Sequence, residues 1–254
     1  MKLALTALLS VVVAPVAALE LVETASYELN RPASLDYDPT FCGLWIANEG
    51  PELILVTLQG DELRRFASDL SRIKAVTLEG DGLLVADGFG GFQRLSKSGE
   101  ALGQPFQSSD RWADTEGIAI AEDGTVITVE DDPERLSWLS AEGETLRVID
   151  TKTFNPPLYE PQGIARDTRT GHLLIVDDLE GSNSLYEFDA DGALLATFDL
   201  TPHGIDPEGI AIRPGSNQMF IAFDQGARIV AFDYTPTITD EAVDITPGAD
   251  CMLF

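Results

Sequence analysis

Basic residues are scarce in this chain. Sixteen lysines and arginines stand against 43 aspartates and glutamates, for a net charge of −27 over 254 residues. Such a chain repels nucleic acid and anionic membrane surfaces and attracts cations, so no nucleic-acid partner is expected. A basic cluster able to hold phosphate is also missing, which argues against phytate hydrolysis unless bound calcium supplies the positive charge. Histidine occurs twice, at His172 and His203, and cysteine twice, at Cys42 and Cys251. The G-x-S-x-G elbow of serine hydrolases does not occur. Long helical periodicity is missing, which weighs against α/β folds. Beyond the N-terminus no apolar run approaches the roughly 20 residues that a membrane span needs. The apolar content of 44% in turn argues against disorder, despite the charge.

The N-terminus reads MKLALTALLSVVVAPVAALE. One lysine precedes an apolar run ending in small residues at Val16-Ala17-Ala18, the pattern of a secretory signal peptide cleaved near Ala18. Residues 1–18 are read as that signal and 19–254 as a single exported domain, periplasmic or secreted. Cys42 and Cys251 lack C-x-x-C spacing. In an exported chain such a pair usually forms a disulfide.

What is present is a repeat. Ser34, Ala75, Gly117, Gly163 and Gly209 each open a unit, 41, 42, 46 and 46 residues apart. After each comes a turn, then an apolar run: LWIANE, LLVADG, TVITVEDD, LLIVDD and MFIAFD. A third strand follows, then a polar hairpin in which Gly60, Gly99, Gly143 and Gly192 take positions that require φ > 0. A fourth strand completes the unit. Four short antiparallel strands in about 40 to 46 residues are the pattern of a β-propeller blade. The fifth unit has three clear strands, and ETASYELN (23–30) reads as the fourth. The fold class is therefore all-β: a β-propeller of five blades, favoured over six, closed by an N-terminal strand. A tail of about 236–254 is left over, and a Cys42–Cys251 bond would tie it across the seam.

This register makes the first strand of each unit the innermost one. The residues just before the unit-opening positions then point to one channel mouth: Ala33, Lys74, Glu116, Gln162 and Glu208. Glu116, Gln162 and Glu208 offer hard oxygen ligands suited to Ca²⁺ or Mg²⁺. Facing carboxylates repel without a cation or a shared proton, and Lys74 is the alternative cation. The same face collects Asn48, Glu49, Asp87, Asp114, Glu130, Asp131, Asp132, Glu160, Asp177, Asp178, Glu180, Asp206 and Asp224. His203 enters this face and is a candidate base, whereas His172 reads as structural.

The repeated EGIA and PQGIA steps resemble the NHL-like β-propellers, as do GHLLIVDD and LYEFDADGALLATFDL. The likeness is greatest to the exported SdiA-regulated type, over about 30–235. The phytase-like (esterase-like) propellers carry similar EGIA steps. The gluconolactonase/regucalcin family holds a divalent ion with residues just before the first-strand glycines. That resemblance implicates Glu116, Gln162 and Glu208 as metal ligands. Lys74 and Ala33 depart from the ligand pattern. The expected function is an exported acidic propeller that binds a divalent cation, calcium above others, and acts as a binding or scaffold module. Its partner would be an unidentified small molecule or protein at the acidic face. The alternative is a metal-dependent hydrolase of a lactone, ester or phosphoester.

Overall fold

The structure is a computed structural model that describes residues 17–110 and 113–238. The signal segment up to residue 16, and Cys251 with most of the tail, lie outside the described residues. Strand β1 (Glu20–Glu28) comes first. Blade 1 then comprises β2 (Ser34–Asp38), β3 (Gly43–Ala47), β4 (Glu52–Thr57) and β5 (Glu62–Ala67). Blade 2 is β6 (Ala75–Glu79), β7 (Gly82–Ala86), β8 (Gly91–Ser96) and the two-residue β9 (Phe106–Gln107). Blade 3 is β10 (Thr115–Ile120), β11 (Val126–Asp131), β12 (Glu134–Leu139) and β13 (Thr145–Asp150). Blade 4 is β14 (Pro161–Arg166), β15 (Leu173–Asp177), β16 (Ser184–Phe188) and β17 (Leu194–Asp199). Blade 5 holds β18 (Ile205–Ile212), β19 (Gln218–Gln225) and β20 (Arg228–Thr235).

Each blade is an antiparallel four-stranded sheet, and the fifth takes β1 as its outermost strand, paired with β20 from Glu20↔Thr235 to Glu28↔Arg228. The N-terminal strand therefore closes the ring, as the sequence predicts. The four hairpin glycines all have φ between +77° and +92°, in the left-handed region that the turns require.

The core sits between the blades. Successive side chains of a strand point to opposite faces, and here both faces are covered. In β3, Leu44 and Ile46 pack toward blade 5, while Trp45 and Ala47 pack toward blade 2. This is why the second strands read as unbroken apolar runs rather than alternating ones. The buried apolar residues form five clusters, one at each blade–blade interface, including blade 5 against blade 1. Five blades thus close on themselves, and no place is left for a sixth.

At the axis the backbones nearly touch. A Cβ on Gly117 would lie 2.5 Å from the Gln162 carbonyl oxygen, and one on Gly163 would lie 2.6 Å from that of Glu208. The inner strands could not approach this closely with any larger residue. Gly163→Ala is expected to lower stability by about 2 to 3 kcal/mol in urea unfolding. Gly124→Ala, where a Cβ meets open space, pays only for its positive φ, about 1 kcal/mol. Equal losses at the two sites would contradict the close-approach account.

Side chains clamp blade 1 to blade 2 as well. Asp36 Oδ2 accepts hydrogen bonds from Leu78 N (2.6 Å) and Thr77 Oγ1 (2.9 Å), and Oδ1 accepts one from Tyr37 N. Asp36 lines a cavity of about 160 Å³ at the end of the channel away from the inner-strand starts. Burial pushes its carboxyl up to about 6, against the pull of those donors. The folded state thus favours the protonated form, so this group adds stability below its unfolded value near 4 and loses it as pH rises through 6. Compared with Asp36→Asn, the wild type should gain Tm between pH 7 and pH 5. A parallel pH response of the two proteins would overturn the assignment.

Candidate functional site

The candidate site lies where the inner strands begin. Lys74 immediately precedes β6, and its Nζ is 2.5 Å from Glu116 Oε2 and 3.1 Å from Glu49 Oε1. Glu49, in the β3–β4 loop at φ +61°, is shared. Arg72 Nη2 lies 2.9 Å from its Oε1, and Arg31 Nη2 lies 3.2 Å from its Oε2. On the side of blades 1 and 2, the mouth is therefore a network of three cations and two carboxylates. Burial pulls the Lys74 ammonium down, but the charges of Glu116 and Glu49 outweigh it and carry it up to about 12.

On the side of blades 3 to 5 the carboxylates fall into two groups. One is Asp114, Glu116 and Asp131; the other is Asp178, Asp206 and Glu208. In each, three carboxylate oxygens lie within 4.8 Å of one another. Burial pushes Glu116 up to about 8, and Asp131 and Asp114 add to this against the pull of Lys74. Glu208 is likewise pushed up to about 8 by burial, with Asp206 and Asp178 adding repulsion. Asp178 rises to about 6, again chiefly from burial. Asp206 is held at φ +68°, with its N–H donating to Asn183 Oδ1 at 2.8 Å. Such left-handed backbone outside glycine concentrates at functional sites.

The first group carries a further signature. Asp114 Oδ1, Glu116 Oε1 and Asp131 Oδ1 are all shut off from solvent with no hydrogen-bond partner among the described residues. An unpaired buried carboxylate oxygen is costly, and a proton or a cation would relieve the three. Oxygens that each lie about 2.4 Å from a calcium ion stand roughly 3 to 5 Å apart, so these separations fit one. The donors are all oxygen, which suits calcium or magnesium rather than a transition metal.

The three residues singled out from sequence are neighbours in strand order. Glu116 belongs to the first group and Glu208 to the second, while Gln162 stands beside Asp178, its Nε2 3.4 Å from Asp178 Oδ2. Lys74 is the cation on Glu116, as the alternative held. Ala33 contributes no side-chain ligand, though it lines a small pocket here with Arg31, Glu49, Lys74, Glu208 and Asp224.

Other expectations need correction. Glu130 does not join the mouth. Its carboxylate accepts hydrogen bonds from Thr128 Oγ1 and Ser137 Oγ and pairs with Arg135, because alternation along β11 turns it away from Asp131. Asp177 is consumed structurally, its Oδ1 accepting from the backbone N–H groups of Tyr159 and Glu160 at 3.1 and 2.8 Å. His203 pairs with Glu23 of the outermost strand at 3.0 Å and packs against Phe198 and Phe232, so it is not a base for the mouth carboxylates. His172 is structural, with Nδ1 2.9 Å from buried Glu187. The sequence reading missed Glu49 as the hub for Arg31, Arg72 and Lys74. A lysine in a ligand-like position was the signal, since a buried ammonium demands acidic partners.

No protein-family model and no curated protein matches the sequence. Solved structures do. Glutaminyl cyclase from Myxococcus xanthus matches with a TM-score of 0.67 at 13% identity, over 85% of this chain and 96% of that one. Virginiamycin B lyase from Staphylococcus aureus matches with a TM-score of 0.52 at 16% identity, over 80% of this chain and 66% of that one. A streptogramin B lyase matches with a TM-score of 0.51 at 15% identity, over 89% and 74%. These likenesses show the fold: the chain is a five-bladed β-propeller. Their chemistry stays their own, because fold and activity separate readily.

The Lys74–Glu116 pair is open to a double-mutant cycle. Lys74→Met should destabilise the apo protein by about 3 kcal/mol by leaving Glu116 buried without its counter-ion. Lys74→Met/Glu116→Gln should recover most of that loss. Additive effects in urea unfolding would show that the two residues are not coupled.

Proposed function

We propose that the chain is an exported β-propeller that binds a divalent cation, calcium above others, at Asp114, Glu116 and Asp131, and serves as a binding or scaffold module. One observation carries this reading: each of the three carboxylates has an oxygen that is buried and unpartnered. Lys74 neutralises Glu116 from the side of its other oxygen and is itself shared with Glu49. With one lysine among three carboxylates, ionisation of all three leaves an excess of negative charge that a divalent ion would balance in place of protons. The overall charge of −27 favours cation capture at the mouth. Export is supported by the N-terminal pattern alone. A hydrolase on the same centre would need a general base beside the ion. With His203 drawn to Glu23, a carboxylate would have to serve as both ligand and base, a double role that the binding module does not require.

Calcium at 100 times its Kd adds about 2.7 kcal/mol, or roughly 5 to 10 °C in Tm for a chain of this size. Thermal unfolding in calcium and in chelator should show that difference for the wild type. Asp131→Asn should lose about half of it or more. A wild type indifferent to calcium, or an Asp131→Asn protein that responds in full, would remove the centre.

A further inference from the structure

We propose that the mouth holds a second divalent cation, bound by Asp178, Asp206 and Glu208 with the amide oxygen of Gln162 as a fourth ligand. The inference rests on the reading of the mouth as a cation site and extends it from one ion to two. The three carboxylates each offer an oxygen within 4.8 Å of the others, the spread that one ion spans. The independent sign is Gln162. Its side chain is 95% buried, and its Oε1 has no hydrogen-bond partner. Its Nε2 stands 3.4 Å from Asp178 Oδ2, at the long limit of a hydrogen bond. A half-turn of the amide exchanges oxygen and nitrogen, which brings a hard oxygen donor to the side of Asp178. An ion there would satisfy an acceptor that nothing else among the described residues reaches.

The sequence repeats the arrangement. Asp-Thr-Glu-Gly-Ile-Ala at 114–119 and Asp-Pro-Glu-Gly-Ile-Ala at 206–211 place an aspartate two residues before a glutamate on an inner strand. Each is completed by an acid from the mouth end of a second strand, Asp131 from β11 of the same blade and Asp178 just after β15 of the preceding blade. The two centres differ in their resident charge. Lys74 touches Glu116, whereas it acts on Glu208 without an ion-pair contact, as the strongest charge effect there, ahead of the repulsion of Asp206 and Asp178. Among the described residues no cation is in contact with the second centre, so an external ion would complete its neutralisation.

Calcium titration of the full chain by calorimetry, with ion counting by native mass spectrometry, tests this. The wild type should bind two ions. Glu208→Gln and Asp206→Asn should each bind one, as should Asp131→Asn, and the Glu208→Gln/Asp131→Asn pair none. Gln162→Met keeps the volume and drops the oxygen. It should weaken one binding step about tenfold and leave the other unchanged, with Tm in chelator close to that of the wild type. One ion in the wild type that Glu208→Gln retains and Asp131→Asn loses would overturn the second centre and leave the first. One ion lost in Glu208→Gln and kept in Asp131→Asn would overturn the first and leave this one. No bound ion would overturn both.

Discussion

The close approach of the inner strands is the constraint on which the rest of the molecule depends. Gly117 and Gly163 let backbone meet backbone at the axis, and the residues before them are then pressed together at one mouth. Glu116, Gln162 and Glu208 have no freedom to spread apart, because the strands that carry them are fixed by five interblade cores. Burial follows, with repulsion from Asp131 and Asp114 on Glu116 and from Asp206 and Asp178 on Glu208, and together these raise the two carboxyl groups against the pull of Lys74. The charge problem at the mouth is a consequence of how the ring is closed.

Two solutions to that problem stand side by side. Blades 1 and 2 supply their own cations, and Glu49 gathers Arg31, Arg72 and Lys74 into one network. Among the described residues, blades 3 to 5 supply acids and the amide of Gln162. The mouth is therefore polarised across its diameter, with one half neutralised by side chains. Among the described residues of the mouth, the buried, unpartnered oxygens lie in the other half, on Asp114, Glu116, Asp131, Gln162 and Asp177. Lys74 stands on the boundary, where it reaches Glu116 at 2.5 Å and touches no member of the Asp178 group.

Most of the fold was legible because the repeat is written in apolar runs, and apolar runs record burial directly. The 41-to-46-residue spacing gave the blades, and the short fifth unit pointed to the N-terminal strand that completes it. The site was legible only to the level of which face it occupies. Glu130 and Asp131 are adjacent acids in one run, yet one is a buried partner of Thr128, Ser137 and Arg135 while the other joins the mouth. Asp177 and Asp178 divide in the same way. Period-two alternation makes this split, and a shift of one residue in the assumed register exchanges the two roles. Loop geometry sets the remainder: Asp206 reaches its group from a left-handed backbone that Asn183 holds in place, and no composition or spacing announces that.

The split within VEDD and VDD also explains why an acidic face of this kind resists interpretation from charge alone. In each run the first acid satisfies backbone or side-chain donors within its own blade, and its charge is absorbed by the fold. The second is turned to the axis, where Asp178 still accepts from Glu180 N, Gly181 N and Gln162 Nε2, while Asp131 Oδ1 has no partner among the described residues. The acids proposed for cation capture are thus those gathered around the axis, not those that are most numerous or most exposed, and the candidate site comprises six carboxylates and one amide. A carboxylate buried on an inner strand without a donor is relieved by a proton or by a cation from outside. The glycines that crowd the axis and the oxygens left unpaired around it are therefore two parts of one arrangement.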